Sequence, residues 1–225
     1  RAVERFDLER MRAWRAEAPD GVRRGIGLCY FVEKGAVGKW EYGRVELDSR
    51  GRPHVYSGSV SLGQGLETVL AQICADALGV DYDQVTVHHG DTATVPDGMG
   101  SYGSRSTSLG GSAVHLAALR LRERVLALAA EQLDADPDEL EIEGDAVVAA
   151  DEPDRRISLM ALFERARPMT TVGSGRRPGL SEEEYATCME SSFPYGVHLA
   201  AVEVDLETGQ VAVPRYLIAY DVGRA

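Results

Sequence analysis

The sequence is short of cysteine, of aromatic residues and of positive charge. Its three cysteines, Cys29, Cys74 and Cys188, lie far apart and form no C-x-x-C pair. That excludes a cysteine-built zinc site or iron–sulfur cluster, and the plain reading is reduced thiols in a cytoplasm. Lys and Arg number 24 against 36 Asp and Glu, a formal net charge of −12, which argues against general affinity for nucleic acid or for an anionic membrane. No apolar run approaches the length of a transmembrane helix. The opening "RAVERFDLERMRAWRAE" mixes acids with bases, unlike an acid-poor transit peptide or a signal peptide with its apolar core. What is present is 44% hydrophobic residues in 225, enough to bury a sizeable core.

The patterning predicts an α+β fold with mostly antiparallel hairpins and packed helices. Residues 1–18 read as a helix stopped by Pro19-Asp-Gly, and residues 1–24 as a helical lead-in to a main region, 25–225, that could itself divide into two subdomains. An apolar strand is expected at 26–33, a hairpin at 41–59 and a strand at 83–89. Leu66, Val69, Leu70, Ile73 and Leu78 make a helical stripe with Gly79 at its end. A long helix over 106–133 carries Val114, Ala118, Leu121, Val125 and Leu128 on one face. A short hairpin turns at Gly144-Asp, Ser158 caps a helix to about Ala166, a strand is possible at 169–173, and "GSGRRPGLSEEE" reads as loop. The chain closes on a hairpin at 198–221. "RVELDSRGRPHVYSG" and "AVEVDLETGQVAVPR" share the order Val-Glu-aliphatic-Asp, turn, Gly, strand, which suggests a duplicated β-hairpin/helix unit as readily as two ordinary hairpins.

Two glycine stretches carry the functional signal. "VPDGMGSYGSRST" contains Gly98-x-Gly100-x-x-Gly103. A dinucleotide fingerprint must follow its strand directly. Here eight residues including Pro96 separate His89 from Gly98, and the acidic residue at the right distance, Glu123, falls inside the long helix. The match is therefore a poor one. Yet the stretch runs through Gly103-Ser104-Arg105-Ser106-Thr107 straight into a helix, whose first N–H groups are unpaired. "SVSLGQGLET" has the same construction: strand, Gly63-Gln64-Gly65, helix. Each junction alone reads as a helix cap. Together they favour an extended, polar, phosphate-bearing ligand, and the sequence physics leaves open which one.

Other residues point to plainer roles. His88 and His89 are adjacent on a strand and face opposite ways, so they do not readily chelate one ion. Glu33 reads as a solvated strand end, Cys29 and Cys74 as core, and the acids of "LSEEEY" as a solvated run. No nucleophile stands in a hydrolase context, and no catalytic or metal-ligating residue is assigned.

"GQGLETVLAQICADALGV", "GDTATVPDGMGSYGSRST…GGSAV" and "FPYGVHLAAVEVDLETGQVAV…YDVGRA" resemble, in order and spacing over roughly residues 20–225, the molybdenum-binding large subunit of the xanthine dehydrogenase, aldehyde oxidase and carbon monoxide dehydrogenase family. The wording is nearest to the carbon monoxide dehydrogenase-like branch. The resemblance implies a molybdopterin cofactor, as its cytosine dinucleotide form. It implies that Gly63, Gln64 and Gly65 meet the cofactor through backbone and amide, and that Gly103, Ser104, Arg105, Ser106 and Thr107 line the pterin or its phosphate, with the Arg105 guanidinium turned to the cavity and dispensable for folding. Its partners would be the remaining large-subunit domains, iron–sulfur and FAD subunits or domains, and a small aldehyde or N-heterocycle as substrate, in the cytoplasm. The family's glycine-phenylalanine-glycine motif, its Gly-x-Gly-Glu base and the cysteine loop of the carbon monoxide enzymes are not among these residues. The expectation is thus a portion of such a subunit that does not hydroxylate by itself. A non-catalytic scaffold with an empty site and a simple phosphate- or nucleotide-binding module are the rival readings.

Overall fold

The structure, a computed structural model, describes residues 1–187, 190–221 and 223. It comprises two compact units, one of Arg1–Gly35 with Ser192–Ala225 and one of Ala36–Ser191.

In the first unit, α1 (Ala2–Phe6) and α2 (Leu8–Ala16) pack on a three-stranded antiparallel sheet of order β1-β9-β10, with β1 at Val22–Val32, β9 at Tyr195–Asp205 and β10 at Val211–Asp221. The single helix expected over 1–18 is two, because Asp7 adopts a left-handed φ of 56° and turns its carboxylate to the Arg10 N–H of the second. Phe6 and Met11 meet Leu199 and Ala201 of β9 to form a small core. Cys29 is exposed. It pairs with His198, one residue out of step with the Leu28–Leu199 and Ile26–Ala201 pairs, so it points to the face opposite the helices. A run that is apolar throughout does not reveal which of its residues face the core. Cys188 falls outside the described residues.

In the second unit, β2 (Trp40–Leu47), β3 (Pro53–Ser57), β4 (Thr86–His89) and β8 (Ser181–Thr187) form a sheet of order β4-β3-β2-β8. β2 and β3 make the expected hairpin; β3 and β4 pair in parallel, joined through α3 (Leu66–Leu78). The expected strand 83–89 starts late, after a 3-10 turn at Tyr82–Gln84. The long helix is α4 (Gly111–Leu133), led in by a π-helical turn at Ser106–Gly110. Its predicted stripe is its buried face: Val114, Ala118, Leu121 and Val125 are sealed from solvent and Leu128 nearly so, in the core shared with α3 and the sheet. Each buried Val or Leu among them contributes about 1.5–3 kcal/mol. A third sheet holds β5 (Leu140–Glu143), β6 (Ala146–Ala149) and β7 (Glu152–Ser158), the last unforeseen, followed by α5 (Leu159–Arg165), which Ser158 caps as expected.

Two sequence expectations fail between 168 and 187. The possible strand at 169–173 is instead α6 (Pro168–Thr171), where proline opens the helix and the Thr170 and Thr171 hydroxyls bond back to the Arg167 carbonyl. The acidic run is not a solvated loop but β8. Glu182 pairs with Arg124 at 2.8 Å, Glu184 pairs with Arg120, and the Tyr42 hydroxyl donates to Glu183 at 3.0 Å. Residues i and i+2 of a strand stand about 6.6 Å apart and residues i and i+4 of a helix about 6 Å, so alternate glutamates of β8 match arginines one turn apart on α4.

The two hairpins with similar wording share their turn chemistry. Asp48 accepts from the N–H groups of Arg50 and Arg52, at 2.8 and 2.9 Å, and Asp205 from those of Glu207 and Thr208, at 3.0 and 2.8 Å. Among the described residues, no helix is long and apolar enough to cross a membrane.

Candidate functional site

Both glycine stretches belong to the second unit, and they are stitched together. The first leaves β3 and bends through exposed Gly63, Gln64 and Gly65 into α3. Gly63 and Gly65 hold φ of 94° and 74°, a region that side-chain-bearing residues avoid, and a Cβ at either would meet nothing within 4 Å. The Gln64 amide folds back on its own loop, its oxygen accepting from the Leu62 N–H and its nitrogen donating to the Val60 carbonyl. The second stretch runs past Gly103 and Ser104, both exposed, into the π-turn, with Thr107 exposed and Ser106 half-buried.

Ser101 is the stitch. Its hydroxyl donates to the Val60 carbonyl at 2.6 Å, accepts from the Val60 N–H at 3.0 Å and accepts from the Ser106 hydroxyl at 2.8 Å. A line of hydrogen bonds therefore runs from Gln64 through Val60 and Ser101 to Ser106. It places the starts of α3 and of the π-turn side by side, and neither start is capped by a side-chain hydrogen bond. Glu67 is the one acid in the first turn of α3, and it is engaged sideways by His89 at 2.8 Å and the Ser61 hydroxyl at 3.0 Å. These two bonds and its own N–H hold its carboxyl below the usual range.

Arg105 departs from the sequence reading. Its guanidinium does not face a cavity; it is fully buried. Nη1 donates to Glu41 Oε2 at 2.8 Å and to the Gly100 carbonyl at 3.1 Å, and Nη2 donates to the Trp40 carbonyl. Glu41, on β2, is equally buried. Its carboxylate also accepts from the Tyr42 N–H at 3.0 Å, the Met99 N–H at 3.2 Å and the Ser59 hydroxyl at 3.3 Å. Sequence reasoning missed Glu41 and Ser101. The one hint was a lone acid set between two aromatics in "WEYG"; nothing marked Ser101 among its serine neighbours.

His88 and His89 behave as the strand geometry predicts, facing opposite ways. His88 stacks on Tyr56 and lies 2.8 Å from His54, while His89 turns to Glu67. Glu33 is exposed. Among the described residues, no group of three or more His, Cys, Asp or Glu side chains is placed to hold a metal ion.

The junctions thus offer open, neutral N–H and O–H donors; at the first, the missing side chains of Gly63 and Gly65 leave free space, whereas a Cβ on Gly103 would lie 2.6 Å from the Val37 Cβ. That donor set suits a polar, anionic group of some length, recognised by hydrogen bonds without a free cation.

Comparison with known proteins gives this donor set a context. The molybdopterin cofactor-binding domain model matches residues 1–225. The chain is 38% identical to the gamma subunit of the 6-hydroxypseudooxynicotine dehydrogenase complex of Paenarthrobacter nicotinovorans, over 91% of this chain and 26% of that protein. It is 31% identical to the carbon monoxide dehydrogenase large chain of Hydrogenophaga pseudoflava, over 94% of this chain and 28% of that one. Among solved structures, quinoline 2-oxidoreductase from Pseudomonas putida 86 superposes with a TM-score of 0.81 at 30% identity, covering 99% of this chain and 30% of that one. The chain spans between a quarter and a third of the length of these relatives. It belongs to the molybdopterin cofactor-binding domain family of the molybdenum hydroxylases.

Proposed function

We propose that the junctions at 63–65 and 103–107 form one wall of a molybdopterin site, with the cofactor in its cytosine dinucleotide form, in a subunit that hydroxylates an aldehyde or N-heterocycle. The observation that carries this reading is the Ser101 stitch, which sets two uncapped helix starts next to each other. The N–H groups after Gly65 and after Arg105 would donate to the phosphate-bearing part of the ligand. Gly63 and Gly65 would admit it to backbone distance, and the Thr107 hydroxyl would add a neutral donor. Arg105 would hold the loop in shape from beneath and not touch the ligand.

When bound, the cofactor supplies the redox chemistry, and this chain supplies binding, orientation and exclusion of water. Electrons would leave through iron–sulfur and FAD partners, because no cluster ligands are grouped among the described residues. The names of the relatives, with nicotine derivatives, quinoline and carbon monoxide among them, favour a small, electron-poor substrate. The remaining large-subunit domains would complete the site, and a cytoplasmic setting suits partners of this kind.

The test is molybdenum and pterin analysis of the protein that carries this chain, produced in a host making the cytosine dinucleotide cofactor. Pterin and metal in equal amounts support the reading; their absence makes the chain a scaffold.

A further inference from the structure

We propose that Glu41 is the positioning residue of both glycine junctions, its one carboxylate fixing where residues 58–65 stand relative to residues 98–107. The proposal rests on the cofactor reading for its consequence, but on this structure's geometry for its cause.

Each Glu41 oxygen takes two donors. Oε1 accepts from the Tyr42 and Met99 N–H groups, and Oε2 from Arg105 Nη1 and the Ser59 hydroxyl. Those donors come from three separate places: its own strand, the residue leading into the first junction, and the second glycine stretch. The backbones cross directly beside it, since a Cβ on Gly58 would collide with Glu41 Oε1 and stand 2.6 Å from the Gly98 Cα. A buried ion pair is a poor way to gain stability, because desolvating both charges consumes most of the attraction, and apolar residues of similar volume often replace one without loss. An apolar pair cannot, however, specify direction. A carboxylate saturated by four donors at 2.8–3.3 Å holds each donor segment to a fixed distance and angle. Glu41 thus acts on the wall from behind and touches no ligand.

The experiment compares wild type, Glu41→Gln and the double variant Glu41→Gln/Arg105→Met. Gln keeps the shape of Glu41 and can still accept from Tyr42 and Met99, but it sets an N–H group against Arg105. The readouts are the melting temperature, amide hydrogen exchange at 59–65 and 98–108, and pterin content. Glu41→Gln should speed exchange in both segments by about tenfold or more, the equivalent of one hydrogen bond to a charged group, while the helical stretch 117–130 of α4 stays protected. The double variant removes the uncompensated guanidinium but also the donor to the Gly100 and Trp40 carbonyls, and at whatever melting temperature results it should keep fast exchange in both junctions and a low pterin content. A filler role predicts the opposite: recovery of melting temperature, junction protection and pterin together, which would overturn the proposal. So would unchanged junction exchange in Glu41→Gln. If the single variant does not fold, Ser59→Ala is measured in its place, with faster exchange over 60–65 expected and wild-type protection there counting against the proposal. Wild-type protein without pterin would refute the cofactor reading, and the exchange data would still decide the role of Glu41.

Discussion

The backbones of Gly58 and Gly98 touch: a Cβ built on Gly98 would lie 2.5 Å from the Gly58 Cα and 2.6 Å from its carbonyl oxygen. Both obstacles are main chain and cannot swing aside. Gly98→Ala should therefore force the two junctions apart at a cost of about 1–3 kcal/mol, the usual penalty of overpacking. In a chain of this size that lowers the melting temperature by about 2–4 °C for each kcal/mol. A melt within a degree of wild type would show that the crossing is looser than this.

Arg105→Ala should be strongly destabilising. The substitution strands the Glu41 carboxylate in a sealed site and leaves the Gly100 and Trp40 carbonyls without their donor. Breaking one side of a buried pair costs about 3–5 kcal/mol. Urea denaturation gives the number directly, and a loss under about 1 kcal/mol, the scale of an exposed ion pair, would place the guanidinium in solvent after all.

That contrast shows where sequence reading reached and where it stopped. Periodicity located α3, α4 and the β2–β3 hairpin, because each buries one continuous face and the pattern follows the face; the β9–β10 hairpin is legible from its alternation around Glu207-Thr-Gly209, although no residue of β10 is fully buried. Gly79 ends α3 in left-handed backbone, as its place after Leu78 foretold. β8 was hidden because its core-facing positions are Glu182 and Glu184, made tolerable by Arg124 and Arg120 some 60 residues earlier. No local pattern announces a partner so distant. For the same reason the sequence points Arg105 to the wrong side of its loop. An arginine among glycines and serines looks like a ligand-binding fork, and only the fold reveals that Glu41, 64 residues away, takes it inward. The positions of Gly63 and Gly65 were legible; the Ser101 stitch was not.

Stability should fall between neutral and mildly acidic pH through His88. Burial chiefly, then the neighbouring His54, Arg44 and His89, hold His88 below the ordinary imidazole value of 6.5, against an opposing pull from Glu46. His54 is itself engaged by Asp48 at 3.4 Å. The sign follows from linkage. Below about 6.5 the unfolded chain takes up the His88 proton while the folded chain resists, so the unfolded state binds more protons and stability drops as pH falls toward the lower folded value. Asp48 and Glu67, both held below their ordinary values of 3.8 and 4.5, act in a separate window nearer pH 4. Melting temperatures from pH 7.5 to 5 should decline in wild type and flatten in His88→Gln. Equal slopes in the two would assign the effect elsewhere.

Cys74 should be silent to thiol reagents until the protein unfolds. It is fully buried in α3, and burial pushes its thiol up to about 12, so the reactive thiolate is scarce and inaccessible. Maleimide labelling followed by peptide mass spectrometry at pH 7.5 should modify exposed Cys29 and leave Cys74 unlabelled. Labelling of both at similar rates would mean that α3 opens readily.

Gly63→Ala should separate folding from cofactor retention. At φ 94° an alanine is strained by about 1–2 kcal/mol, but its Cβ meets nothing within 4 Å, so the chain should still fold. Gly173 offers a matched control, with φ 79° and equally open surroundings in a loop after α6. Gly173→Ala carries similar strain far along the chain from either junction and should retain wild-type pterin. If the open space beside Gly63 is where the cofactor lies, the added methyl intrudes on it, and an overpacking penalty of about 1–3 kcal/mol corresponds to a loss of roughly 5- to 150-fold in pterin affinity. Pterin content per chain, measured after mild competition with excess apo-protein, gives the comparison. Equal retention by Gly63→Ala and Gly173→Ala would mean that the first junction does not face the cofactor, and that its left-handed glycines serve only the turn into α3.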